Sequence, residues 1–73
     1  MKQELSRVKE YTIYPDISRF YYFNTQIGYV MRHSANKFSA YSKDGDLLKK
    51  GLHSKHKAIY LILETYLKEL END

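Results

Sequence analysis

From Ala58 onward the apolar residues Ile59, Ile62, Leu63, Tyr66, Leu67 and Leu70 fall at the i, i+3, i+4, i+7, i+8, i+11 spacing of a single helical stripe. A helix with one apolar face must lay that face on something, and here the partner has to come from the residues before it. Ser54 offers an N-cap oxygen after Gly51, and Glu64 with Lys68 forms an i, i+4 pair in the favourable order. Glu69, Glu71 and Asp73 crowd the end where the helix dipole favours cations, so the last turn is expected to fray. The pattern predicts a helix over 54–70.

The partner reads as β-structure. Lys43-Asp44-Gly45-Asp46 is the strongest turn signal in the chain, and Asp-Gly between two strand-like runs favours a two-residue hairpin with positive φ at both central positions. The run 37–42 (KFSAYS) alternates Phe38 and Ala40 with Lys37, Ser39 and Tyr41, and the return run 47–50 (LLKK) stops at Gly51. Ile27 to His33 carries β-branched and aromatic residues, with Ser34-Ala35-Asn36 as a second turn. The expected fold is α+β: a three-stranded antiparallel sheet packed on the C-terminal amphipathic helix. It forms one domain, 1–73, in which 27–73 is the sheet-plus-helix unit and 1–26 a helical or strand extension. Within the extension, residues 2–10 are compatible with a helix whose only apolar residues are Leu5 and Val8. Tyr11 to Tyr14 reads as a short strand stopped by Pro15, with Asp16 capping a turn. Phe20-Tyr21-Tyr22-Phe23 is apolar on both sides, and strand and helix stay open there.

Several function classes drop out on composition. Seventy-three residues support one core, and a domain of this size buries only about 60% of its unfolded surface. With no Cys there are no disulfides or thiolate metal sites, and His33, His53 and His56 lack zinc-site spacing, so no metal or cofactor is expected. No apolar run reaches membrane-span length and MKQELSRVKE lacks the apolar core of a signal peptide. A cytoplasmic chain without a membrane partner is expected. Gly28, Gly45 and Gly51 are too far apart for a phosphate-cradling loop, and no His–acid pair is spaced to activate a hydroxyl. Neither an enzyme nor a small-molecule substrate is expected.

Charge is the feature with functional content. Residues 31–57 carry seven Lys/Arg against two acids, while 58–73 carry one Lys against four acids. The asymmetry points to an anionic ligand meeting the sheet. Strand alternation places Phe38, Ala40 and one of Leu47 or Leu48 inward, leaving Lys37, Ser39, Tyr41 and Lys43 outward. Arg32 and Lys49 or Lys50 extend that surface, and Ser54, Lys55 and the free amides of the helix start suit one more phosphate. Such a basic sheet fits a ribbon in the major groove of duplex DNA, with Lys and Arg on phosphates and Ser39 and Tyr41 on base edges or the backbone. The competing reading is a solvated lysine face that discourages edge pairing. A further alternative rests on the eight Tyr, too many for so small a core. They suit a protein-interaction module using exposed tyrosines, such as a phage-encoded modulator of a host protein, or an obligate homodimer.

The stretch Asn36-Lys37-Phe38-Ser39-Ala40-Tyr41, Gly45, Lys49-Lys50-Gly51-Leu52, Ser54-Lys55, Ala58-Ile59 resembles the arm-type DNA-binding domain of phage integrases and the related plant ethylene-response-type domain. Gly28-Tyr29-Val30 lies where those families have their first strand. The resemblance covers residues 27–70 and implies a three-stranded sheet plus helix with the open sheet face in a DNA major groove, in a protein of phage or mobile-element origin. Asn36, Phe38 and Leu52-His53 stand where the families have Gly, Trp, and Phe with a small residue. Gly51, Ser54-Lys55 and Ala58 are also similar to the helix start of the double-stranded RNA-binding domain, whose α-β-β-β-α order a helix over 2–10 would complete.

Overall fold

The computed structural model describes residues 5–71. Its sheet has five strands: β1 (Val8–Tyr14), β2 (Ile17–Tyr22), β3 (Thr25–Ser34), β4 (Lys37–Ser42) and β5 (Leu47–Leu52), followed by the helix α1 (Lys55–Glu71). The strands form an antiparallel meander in sequence order. This overturns the three-stranded expectation: residues 8–22 add two strands to the edge of the expected unit, which survives as β3–β5 with α1. It also overturns the α-β-β-β-α order, because five strands rather than three precede the C-terminal helix and Val8 already starts β1; Leu5 and Ser6 are helical, and residues 2–4 of the expected helix lie outside the described part. The physical reason is alternation. Val8, Glu10 and Thr12 face one side and Lys9 and Tyr11 the other, paired residue by residue with Tyr22, Phe20, Ser18, Tyr21 and Arg19 of β2.

Helix α1 packs across β3, β4 and β5. Ala58, Ile62 and Leu63 meet Phe20, Ile27, Val30, Phe38 and Ala40 in the core, with Leu48, Leu52, Ile59 and Leu67 around them. Ile27 reaches this core through a bulge: Phe20 pairs with Gly28 and Tyr21 with Gln26, so Ile27 is the extra residue. Gly28 lets the helix come close. A methyl group there would collide with the Tyr41 carbonyl oxygen and sit 2.7 Å from Ile62 Cγ2.

The hairpins differ in their chemistry. At 43–46 the Gly45 amide donates to the Ser42 carbonyl (3.0 Å) and the Ser42 amide to the Asp46 carbonyl (2.8 Å). Gly45 has φ 91°, and Asp44 is not in the left-handed region. The loop is thus a three-residue turn ending in a left-handed glycine, not the two-residue turn the Asp-Gly pair suggests. Ser42 Oγ accepts from the Asp44 and Asp46 amides and fixes this arrangement. At the β2–β3 turn, Phe23 adopts φ 57° with its ring exposed. That backbone is strained for a bulky residue. Its ring meets Tyr22 edge-on at 4.8 Å and has the Arg7 guanidinium 5.8 Å from its centre.

One ion pair ties the edge strand to the helix start. Lys55 Nζ donates to Glu10 Oε2 at 2.8 Å. Partial burial alone would raise the Glu10 carboxyl, but the hydrogen bond and charge of Lys55, with a hydrogen bond from Ser18, outweigh it and hold the group below its ordinary value near 4.5. A lowered acid contributes stability above its unfolded value, and that contribution fades as pH falls through the folded one. The stability gap between the native chain and Lys55→Gln is therefore expected to be largest above pH 5 and to shrink as pH drops below about 4.5. Both side chains are partly solvated, so the gap stays under about 1 kcal/mol in urea titrations at each pH.

Candidate nucleic-acid interface

The helix lies on one face of the sheet, over β3–β5, and β1 and β2 extend the opposite face rather than covering it. Five strands at a spacing of about 4.8 Å give that open face a width of about 19 Å. Its composition follows from register. Tyr11 pairs with Arg19, Arg19 with Tyr29, Tyr29 with Tyr41, and Tyr41 with Leu47, a row running across all five strands. On one side of this row Lys9 pairs with Tyr21 and Tyr21 with Gln26; on the other, Tyr14, Ile17, Met31 and Ser39 continue the outward set.

The rings engage one another. Tyr29 and Tyr41 stack with centres 4.9 Å apart and planes 11° apart, and Tyr11 meets Tyr21 edge-to-face at 5.3 Å. Tyr11 and Tyr14 remain 55% and 63% exposed, whereas Tyr21, Tyr29 and Tyr41 are half-buried by their neighbours. A shallow pocket beside Tyr11, Tyr21 and Phe23 is lined by Lys9 and Asn24. A second, of about 270 Å³, lies among His33, Lys37, Ser39, Tyr41, Lys50 and Gly51. In it Ser39 Oγ and His33 Nε2 share a hydrogen bond of 2.7 Å, which satisfies the hydroxyl of a serine that is outward in register yet only 2% exposed.

The structure divides the nine residues expected from sequence. Lys37, Ser39, Tyr41 and Lys50 come together in that second pocket. The other five lie elsewhere. Arg32 pairs with inward-facing Phe38, so it emerges on the helix side, where its Nε donates to the Ser34 carbonyl at 3.2 Å. Lys55 joins it beside Thr12, Asp16 and Ser18 and is engaged by Glu10. Ser54 caps α1, its Oγ accepting from the Lys57 amide at 3.1 Å. Lys43 sits past the end of β4, where the chain reverses and alternation lapses; its Nζ is 4.0 Å from Glu69 and 5.7 Å from the centre of the Tyr66 ring. Lys49 shares register with inward Ala40 because of the bulges in β5.

Sequence reasoning missed Lys9 and Arg19, and set Tyr11, Tyr21 and Tyr29 among the tyrosines of a protein interface rather than on this face. The signal that places Lys9, Tyr11, Arg19 and Tyr21 is the two-residue period in Lys9–Tyr11 and in Ile17–Arg19–Tyr21, and Tyr29 follows from its pairing with Arg19 and Tyr41.

No family model matches the chain, and no curated protein or solved structure matches it. The functional reading therefore rests on the face itself. Among the described residues, the outward strand positions carry Lys9, Arg19, Lys37 and Lys50 and no acid. Glu10 faces the helix side, Asp16, Asp44 and Asp46 occupy turns, and Glu64, Glu69 and Glu71 are on α1. No helix among these residues is long and apolar enough to cross a membrane, and they contain no cluster of three metal-ligating side chains.

Proposed function

We propose that this chain is a cytoplasmic nucleic-acid-binding module that uses the outer face of its sheet. The observation that carries the reading is the absence of acidic side chains from the outward strand positions that hold four cations and five tyrosines. A face that served solubility alone would intersperse both signs. Here the negative charge sits on the turns and the helix side, so a polyanion meets attraction on one side only. The Ser39–His33 pair lies between Lys37 and Lys50, with Ser39 buried and its hydroxyl already engaged by the imidazole. It has no carboxylate partner at an outward strand position to orient it for nucleophilic chemistry.

The test is titration with nucleic acid across a range of salt. Four phosphate contacts predict a plot of log affinity against log salt with a slope of about −3. A flat plot would remove the reading. A second reading, a protein interface, draws on Tyr11, Ile13 and Tyr14, all exposed on the edge strand β1. Self-association in sedimentation, insensitive to salt, would favour it.

A further inference from the structure

Resting on that reading, we infer that the strand bound is unpaired, with its bases stacked on the tyrosine row and its phosphates on the flanking cations. Width argues first. A sheet enters a duplex major groove as a two- or three-stranded ribbon, and the groove is about 12 Å wide. The open face here is about 19 Å across, because β1 and β2 extend it and carry Lys9, Tyr11, Arg19 and Tyr21. Those residues would lie outside a groove that admitted β3–β5.

Chemistry argues second. In a duplex the flat faces of the bases are already stacked on one another, so a duplex offers phosphates and base edges but no ring faces. Unpaired bases offer their faces, and a row of aromatic rings interleaved with cations is what such bases stack on without regard to sequence. Tyr11, Arg19, Tyr29 and Tyr41 form such a row across four adjacent strands. Cations flank it at both ends: Lys9 lies beside Tyr11 and Tyr21, and Lys37 and Lys50 lie beside Tyr41. Phe23, held exposed in a strained backbone next to Tyr21, adds a ring at the border of the same surface.

The chain has eight Tyr and no Trp, so its own tyrosine fluorescence reports stacking. The experiment titrates the full chain with oligo(dT) or oligo(rU) of ~12 nucleotides, and with a duplex of equal length. Anisotropy of a labelled strand gives affinity. The expected result is at least about tenfold tighter binding of one of the single strands than of the duplex, with quenching of tyrosine emission. Tyr11 is exposed, so replacing it should leave the fold intact. Tyr11→Ala should weaken single-strand binding about 5- to 150-fold, and Tyr11→Phe should retain it. Duplex binding equal to or tighter than single-strand binding, or a Tyr11→Ala variant with unchanged affinity, overturns this inference while leaving the outer-face reading in place. Absence of binding to every strand overturns both.

Discussion

Replacing Gly28 with Ala is expected to lower the melting temperature by about 5–20 °C, more than the same change at Gly51. Gly28 lies in the middle of β3, between Ser42 of β4 and Phe20 of β2, and under the helix. An alanine Cβ would run into the Tyr41 carbonyl, a backbone atom of the adjoining strand, and press on Ile62 Cγ2 in the core. Ile62 can yield by a rotamer change. The Tyr41 carbonyl can yield only if β4 moves relative to β3, which strains the ladder that carries most of the core. Overpacking of this kind costs about 1–3 kcal/mol, out of a total stability of about 4–11 kcal/mol for a chain of this length. Gly51→Ala provides the contrast. Nothing lies within 4 Å of a Cβ placed there, and only its φ of 73° opposes the change, so its cost is about 1 kcal/mol. Thermal unfolding followed by circular dichroism separates the two. Equal losses would mean that the helix does not depend on close approach at Gly28.

The parts of this fold that are legible in sequence are those where one face is apolar and the other is not. Ile59, Ile62, Leu63 and Leu67 mark α1, and it spans Lys55–Glu71 behind the Ser54 cap. Phe38 and Ala40 mark the inward face of β4. The first hairpin hid for the opposite reason. In Phe20-Tyr21-Tyr22-Phe23, Phe20 fills the core, Tyr21 faces the open side next to the tyrosine row, Tyr22 turns toward Tyr66, and Phe23 is already in the turn. Four aromatic residues in succession serve four different places, and no period records that. The charged run Lys9-Glu10 conceals a strand for a related reason. Lys9 points to the open face, while Glu10 points to the helix side, where it meets a lysine 45 residues away.

The candidate surface was half legible. Alternation within β4 places Lys37, Ser39 and Tyr41 together, because nothing interrupts the strand between them. The same rule fails for Lys43, which lies beyond the strand, and for Lys49, which follows a bulge. Arg32 fails for want of pairing information: only its register with Phe38 shows that it faces the helix. Positive charge in the sequence does not say which side of the sheet a residue faces, as Arg32 and Lys37 show. Register supplied the side, and it also supplied the tyrosines.

The second large effect is expected from removing the charge of that side. The variant Lys9→Gln/Arg19→Gln/Lys37→Gln/Lys50→Gln takes the chain from a net charge of +3 to about −1 and deletes every cation among the outward strand positions. At roughly 1 kcal/mol per exposed phosphate contact, affinity for a single strand should fall about a hundred- to a thousandfold. The salt dependence should all but vanish. All four positions are on the surface, so folding should persist, and circular dichroism verifies it. The control is Arg32→Gln/Lys43→Gln/Lys55→Gln, which removes three cations from the helix side and brings the net charge from +3 to about zero. Because local charges act over about a Debye length of 8 Å at physiological salt, this control should cost less than about tenfold.

The decisive measurement is thus the affinity of these two folded variants, side by side, for the same labelled single strand at one salt concentration. The account predicts that the outer-face variant loses binding and the helix-side variant keeps it. Equal losses from both, or a greater loss from the helix side, would contradict it.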